Sequence, residues 1–77
     1  MTLSPPAALE AILFSSGEPM PKKRLAAVLG IPEKDLGAVI EALRESLAGR
    51  GLALLEAREG IELRTAPDAS AFVKKRR

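Results

Sequence analysis

The sequence of 77 residues contains neither cysteine nor histidine. Without cysteine, no disulfide and no thiolate metal site can stabilise the fold. Without histidine, the chain lacks the usual general base and the commonest protein ligand for metals. Two pairs of neighbouring carboxylates, Glu33 with Asp35 and Glu41 with Glu45, are interpreted as charges on helix surfaces rather than as acid–base pairs. We therefore predict a protein that is not an enzyme and has no catalytic, cofactor-binding or metal-binding residues.

Long apolar runs are also missing. No stretch approaches the ~20 apolar residues that cross a bilayer, and the first residues lack the early positive charge of a secretory signal. The absence of cysteine fits a reducing compartment. These features favour a cytoplasmic protein, and the length allows one domain, over residues 1–77. A core this small, without a disulfide or a metal, often gains stability from a partner or a second copy.

The net charge of +2 is unevenly distributed along the chain. The last four residues, KKRR, are all basic. The 73 residues before them hold eight basic and ten acidic residues, a net charge of −2. The overall positive charge therefore does not by itself indicate a surface for nucleic acid.

A first helix is predicted to begin after Ser4, whose hydroxyl can cap a helix and which precedes two prolines suited to a first turn. It ends at Gly17. Leu9, Ile12 and Leu13 form an apolar stripe at helical spacing. A second apolar face makes the helix apolar around most of its circumference, so we expect burial on two sides. That second face consists of Leu3, Ala7, Ala11 and Phe14.

Two further helices are predicted. The second occupies residues 21–30, where a proline begins the helix and a glycine caps it. Leu25, Val28 and Leu29 are predicted to face the core. The third begins after Pro32 and has the strongest helical periodicity of the chain. Its apolar residues are Leu36, Val39, Ile40, Leu43 and Leu47.

After the third helix the apolar period changes to two, which is typical of strands. Two alternating segments predict a β-hairpin with its turn near Glu59 and Gly60. Leu52 and Leu54 share one face of the first strand, whereas Leu55 lies on the other face.

A short C-terminal helix is predicted to begin at Pro67, with Phe72 and Val73 on its inner side. The order of elements is therefore three helices, a hairpin and a short helix. This order predicts a mainly α fold with a β-hairpin, the layout of a winged helix-turn-helix domain.

In this layout the third helix would enter the major groove of DNA. Here residues 32–48 carry a net charge of −2, with Glu33 and Asp35 in the first turn, and carboxylates repel phosphate. The sequence also has no Asn or Gln for the usual adenine contact. A small DNA-binding or transcriptional regulator remains the alternative function. Its possible phosphate contacts are Lys22, Lys23, Arg24, Lys74 and Lys75, with the other two basic residues of the tail.

The apolar surfaces favour a protein interface instead. The second face of the first helix exceeds what a three-helix core needs, and we interpret it as a homodimer interface. Two alternatives stay open for Leu55, which either the short C-terminal helix or a partner could cover. The predicted interface residues are Leu3, Ala7, Ala11, Phe14 and Leu55.

Several sequence motifs follow one another in a specific order. They are LEAILFSSGEP at residues 9–19, LGI at 29–31, GRGL at 49–52, GIELRT at 60–65, and Pro67. Their order and spacing resemble the N-terminal winged-helix domain of the bacterial segregation and condensation protein B (ScpB) family. Two places depart from the family pattern. Met20 and Pro21 stand where a small polar residue usually caps the second helix, and Ile61 stands where an aromatic residue is frequent.

The resemblance implies an accessory, non-catalytic role in chromosome condensation and segregation. Such proteins join a kleisin subunit (ScpA) and an SMC ATPase in the bacterial condensin-like complex. Their N-terminal domain is associated with self-dimerisation and their C-terminal domain with kleisin contact. The expected partners are thus a second copy, ScpA and, through it, the SMC ATPase, without a cofactor, a membrane or sequence-specific DNA. The resemblance also implies a nucleoid-associated location, and the chain looks like the N-terminal fragment of a two-domain protein.

Overall fold

The computed structural model describes residues 3–66. In this part of the chain three helices are followed by a two-stranded antiparallel hairpin, which we call the wing. The elements are α1 (Pro5–Ser16), α2 (Lys22–Leu29), α3 (Glu33–Leu47), β1 (Leu52–Ala57) and β2 (Gly60–Thr65). This order confirms the predicted winged helix-turn-helix fold. The predicted short C-terminal helix, with Phe72 and Val73, lies outside the described residues.

α1 begins and ends where the sequence predicts. The Ala7 N–H donates a hydrogen bond to the Ser4 hydroxyl at 3.3 Å, which caps the first turn. Gly17 ends the helix with a φ of 67°, a left-handed conformation that glycine adopts at little cost. Leu9 and Leu13 are buried. One leucine face of α1 therefore packs against the other elements.

α2 differs from the prediction at one residue. Leu25 and Ala26 are buried and Leu29 is partly buried, whereas Val28 is 55% exposed. Successive residues of a helix are separated by about 100°. The buried side of α2 therefore runs from Leu25 through Leu29 to Ala26, and Val28 lies outside it. The prediction that Val28 faces the core is wrong, because the small Ala26 side chain takes the buried position instead.

α3 carries the longest buried stripe of the molecule. Leu36, Ile40, Leu43 and Leu47 are buried, and Val39 is partly buried against the same cluster. These are the residues that the helical periodicity predicts. α3 thus fixes the position of both other helices, since α1 and α2 each pack against it.

β1 and β2 pair along their whole length, with Ala57 opposite Gly60 at the closed end. Arg58 and Glu59 form the connecting loop, a length typical of tight hairpins. The turn therefore lies one residue earlier than predicted, and Gly60 is the first residue of β2. Leu54 faces the core, which confirms the predicted inner face of the wing.

The loop between α1 and α2 is joined to the wing by backbone hydrogen bonds. Met20 donates its N–H to the Ile61 carbonyl at 2.9 Å, and Ile61 donates its N–H to the Met20 carbonyl at 2.8 Å. Next to this bridge, Gly60 has a φ of 141°, and a Cβ at this position would overlap the Met20 carbonyl. Glycine is therefore required where the loop crosses the wing.

The core lies between the three helices and the inner face of the wing. Within residues 3–66 it contains no buried polar or charged side chain. Its buried members are Leu9, Leu13, Leu25, Ala26, Leu36, Ile40, Leu43, Leu47, Leu54 and Ile61. A core built from aliphatic side chains stabilises the fold without chemistry of its own, so function depends on the outer surfaces.

Candidate functional site

The outward face of α1 is an apolar surface, which we call the α1 stripe: Leu3, Ala7, Ala11 and Phe14. Phe14 is 78% exposed and Leu3 is 60% exposed. Ala11 is exposed and Ala7 is partly buried. Residues three or four apart lie on the same side of a helix. The structure thus places Ala7, Ala11 and Phe14 on one side of α1, with the exposed Leu3 just before the helix. Contiguous exposed apolar surface often marks a protein interface.

A hollow of about 330 Å³ lies beside Phe14, at the base of the wing. Apart from Arg64 and Thr65, no lining residue has a polar side chain; the lining is Leu13, Phe14, Gly17, Leu52, Leu63, Arg64 and Thr65. An apolar hollow next to an exposed aromatic ring can receive a side chain from a second molecule, as buried anchors do in protein interfaces. The apolar surface of α1 therefore continues onto the base of the wing.

Leu55 is separate from this hollow. It is 44% exposed on the outer face of β1, where it pairs with Glu62, and it does not line the hollow beside Phe14. The structure therefore does not bring Leu55 to the same site as Phe14. The helix that could cover Leu55 within the chain was predicted in residues outside the described part. Both alternatives for Leu55 stay predictions.

The outer face of α3, which would approach DNA in a DNA-binding relative of this fold, is acidic. Its first turn holds Glu33 and Asp35, both exposed, and Glu41 and Glu45 are exposed further along. Negative charge favours the N-terminus of a helix, because it complements the helix dipole. The same charges repel phosphate, so this face is poorly suited to a duplex.

Glu56 on the wing connects the two helices of the helix-turn-helix. Lys22 Nζ lies 2.9 Å from Glu56 Oε2, and Arg44 Nη2 lies 3.4 Å from Glu56 Oε1. The hydrogen bond from Lys22 lowers the pKa of Glu56, and the charges of Lys22 and Arg44 act in the same direction. The Glu56 carboxylate therefore stays ionised at neutral pH and holds the start of α2 and the second half of α3 against β1.

The candidate phosphate contacts are only partly available. Lys22, Lys23 and Arg24 are exposed in the first turn of α2, but Lys22 already pairs with Glu56. Lys74 and Lys75 lie outside the described residues. Lys23 and Arg24 are therefore two adjacent cations that form no ion pair with another residue of the part 3–66.

Residues 3–66 contain no group of three or more acidic, histidine or cysteine side chains that could hold a metal ion. No described helix has the length and hydropathy needed to cross a membrane. The exposed surfaces of α1, α2 and the wing are thus the features from which function can be argued.

Two features of these surfaces were missed by sequence reasoning. The exposure of Val28 has no distinct signal in the sequence, because alanine stands at both positions 26 and 27 and only Ala26 is buried. The ion pair between Lys22 and Glu56 has no signal in the sequence, because the two residues are far apart along the chain. Only the folded wing brings the carboxylate to the start of α2.

Comparisons with known proteins agree with the fold and the motifs. The family described as segregation and condensation complex subunit ScpB matches residues 7–77. A protein named segregation and condensation protein B, from Symbiobacterium thermophilum, is 38% identical over 69 residues. The matched region covers 87% of this chain and 32% of that protein. The chain spans about a third of the length of the curated relatives it matches.

Two solved structures are similar over almost the whole chain. One is a crystal structure of a dimer of the ScpB N-terminal domain complexed with a ScpA peptide, with a TM-score of 0.83 and 33% identity. The similarity covers 91% of this chain and 84% of that one. The other is ScpB from Mycobacterium tuberculosis, with a TM-score of 0.82 and 25% identity over 97% of this chain and 50% of that one. The chain therefore belongs to the family of the segregation and condensation complex subunit ScpB.

Proposed function

We propose that this chain is the dimerising domain of a non-catalytic accessory subunit that acts in chromosome condensation and segregation. Its role is to form a homodimer through the α1 stripe and to help seat a kleisin segment of the ScpA type. Through the kleisin it associates with an SMC ATPase and with the nucleoid. In this proposal the protein acts by binding other proteins and catalyses no reaction.

The exposure of Phe14 is the observation that carries the proposal. A phenylalanine side chain buries a large apolar area when it enters an interface, and aromatic residues are frequent hot spots. Phe14 is 78% exposed on a helix whose opposite face is fully packed. Leu3 and Ala11 extend the same apolar surface. A second copy that packs on this surface removes it from water, which a small core without disulfides or metals benefits from.

The structural neighbour supports dimerisation and a kleisin partner, without assigning the surface. That neighbour is a ScpB N-terminal domain in the form of a dimer with a ScpA peptide, and it matches this chain over most of both lengths. The acidic outer face of α3 supports protein partners rather than DNA. In the proposal, residues 1–77 form one winged-helix domain of a longer protein, as the length of the relatives favours.

The dimer is tested with the variant Phe14→Asp and the matched control Val28→Asp. Each replaces an exposed apolar side chain with a carboxylate, but Val28 lies on α2 instead of α1. Phe14→Asp is expected to weaken the dimer on the order of 30-fold or more, because a charge would be buried at the centre of the interface. Val28→Asp is expected to leave the dimer unchanged. Sedimentation equilibrium over a range of protein concentrations measures both dissociation constants.

Circular dichroism separates an interface effect from loss of the fold. A Phe14→Asp chain that is folded and monomeric supports the proposal. An unfolded Phe14→Asp chain would show that Phe14 belongs to the core, and a dimer lost only in Val28→Asp would move the interface to α2. A wild-type chain that is monomeric at high micromolar concentration contradicts dimerisation by this domain.

A further inference from the structure

The outer edge of β1, the side that faces away from β2, is the feature of interest in the wing. Ala66 donates its N–H to the Gly51 carbonyl at 2.8 Å, so these two residues form a hydrogen-bonded pair just beyond the paired strands. Hydrogen-bonded pairs alternate with non-hydrogen-bonded pairs in an antiparallel ladder. The next hydrogen-bonded pairs are therefore those of Ala53 and Leu55 with their partners on β2.

The remaining residues of β1 direct their backbone groups to the other side. We call this the open edge, and it consists of the backbone N–H and C=O groups of Leu52, Leu54 and Glu56. Within residues 3–66 these groups form no backbone hydrogen bond with another element. The Met20 bridge agrees with this assignment. Ile61 lies opposite Glu56, and its backbone groups bond to Met20 instead of to β1, so Glu56 and Ile61 form a non-hydrogen-bonded pair. On β2 Met20 occupies that outer side at Ile61 but not at Leu63 or Thr65, whereas on β1 no described residue occupies it at any position.

A groove runs beside the open edge. It has a volume of about 330 Å³ and lies between the end of α3 and β1. Its floor is apolar, with Leu47, Leu52 and Leu54 among its lining residues, and two arginines, Arg44 and Arg50, stand on its α3 side. An unpaired strand edge next to apolar pockets is the arrangement that binds an extended peptide by strand addition.

The charge of the groove indicates what kind of chain it accepts. Arg50 is exposed and forms no ion pair with another residue of the described part, whereas Arg44 pairs with Glu41 and Glu56. A carboxylate on an incoming peptide can therefore pair with Arg50 without displacing an existing partner.

A second copy that pairs along the whole open edge brings like charges together. If two β1 strands pair antiparallel about Leu54, the central residue of the open edge, Arg50 of one copy lies opposite Arg58 of the other. Like charges directly opposite each other destabilise a strand pair. We propose that the open edge of β1 and the adjacent groove bind an extended peptide segment with alternating apolar and acidic residues. This site is separate from the α1 stripe and does not depend on the dimer.

The test uses the ¹⁵N-labelled 77-residue chain and the synthetic peptide acetyl-Asp-Val-Glu-Val-Asp-Val-Glu-amide. Addition of the peptide is expected to shift the amide resonances of Leu52, Leu54 and Glu56 and to slow their hydrogen exchange severalfold. Ala53 and Leu55 are internal controls, because their amides already bond to β2 and should keep their exchange rates. No slowing at Leu52 and Leu54 with millimolar peptide overturns the proposal.

The charge of the occupant is tested with Arg50→Glu and the matched control Arg58→Glu. Both replace an exposed arginine, but Arg58 lies in the loop at the tip of the wing. Arg50→Glu is expected to weaken binding of the fluorescein-labelled peptide roughly fivefold or more, and Arg58→Glu to leave it unchanged. Equal weakening by both variants overturns the role of the groove.

A second copy at the open edge is tested without peptide. If the protection of its amides from hydrogen exchange rises with protein concentration, a second copy occupies the edge and the proposal is overturned. The peptide titration in the Phe14→Asp chain separates this site from the dimer, since binding is expected to persist there.

Discussion

α1 and α3 contribute the same kind of residue to the core but differ on their outer faces. Both bury leucines at helical spacing, Leu9 and Leu13 on α1 and Leu36 and Leu43 on α3. The outer face of α3 is charged and mostly acidic, whereas that of α1 is apolar and exposes Phe14. The buried faces of the two helices are therefore alike in residue type, whereas their exposed faces differ.

This difference separates what determines the fold from what determines the partner. A winged helix-turn-helix needs leucine stripes at the correct spacing, and it has them here. The fold is used by many DNA-binding proteins, but α3 has the wrong charge for that use and its neighbour Lys22 is paired with Glu56. The outer face of α1 is instead apolar and exposed, as the proposed protein interface requires. Function has to be argued from such surfaces, because the fold alone does not define it.

The largest effects are expected where the two helices are alike. Leu9→Ala and Leu36→Ala each remove a fully packed side chain and are expected to lower the free energy of unfolding by about 2–5 kcal/mol. Phe14→Ala, at a concentration where the chain is monomeric, is expected to lower it by less than about 0.5 kcal/mol, because an exposed side chain leaves no cavity. Urea denaturation followed by circular dichroism measures all three. A loss at Phe14 as large as at Leu9 would contradict the division into a packed face and an exposed face.

An intermediate effect is expected when the charge of the outer face of α3 is reversed. Glu33→Lys with Asp35→Lys changes the charge of residues 32–48 from −2 to +2. Binding to a duplex of random sequence at low salt is expected to tighten on the order of tenfold, with a steeper salt dependence. Fluorescence anisotropy measures it.

The control for this comparison places the same change of charge elsewhere. Glu10→Lys with Glu18→Lys adds equal charge on α1 and the loop after it. This double variant is expected to tighten DNA binding less, because its positions lie outside α3, the helix that would enter the major groove. Equal tightening in both double variants would mean that net charge, and not the acidic outer face of α3, limits DNA binding.

The smallest effect is expected at Glu56, which joins the helix-turn-helix to the wing. Its pKa in the folded chain is lowered from the ordinary value of 4.5. A lowered pKa contributes stability above the unfolded value, and this contribution is lost as the pH falls through the folded value. The small stability advantage of the wild-type chain over Glu56→Gln should thus be constant above about pH 5 and disappear in more acidic solution. Urea midpoints at several pH values measure it, and an advantage that persists at pH 2 contradicts the ion pair as its source.

Much of the fold could be predicted because its signals are local. The leucine spacing of α3, the Ser4 cap and Gly17 each depend on neighbours within one or two turns, and all three predictions are confirmed. The eight residues of α2 are too few to define its buried face by periodicity, so Val28 was misplaced. The Met20–Ile61 bridge could not be predicted, because it joins residues that only the folded chain brings together.

The candidate site was predictable only in part, for a related reason. The sequence indicates that α1 is apolar on two sides and favours the face with Phe14 as the one in excess of the core, but the pattern alone does not show how far that face is exposed. The structure shows that Leu9 is covered and Phe14 is not. The open edge of β1 had no sequence signal, since alternation of side chains does not indicate which backbone groups remain unpaired.

The bridge between Met20 and Ile61 has a mechanical consequence. Its two hydrogen bonds connect the segment that follows α1 directly to β2. A pull on the wing therefore reaches the end of α1 through this short connection as well as through side-chain packing. The wing and α1 should resist load and open as one cooperative unit. If the two proposed contacts form, the domain would carry tension between a partner at the wing and a second copy at α1.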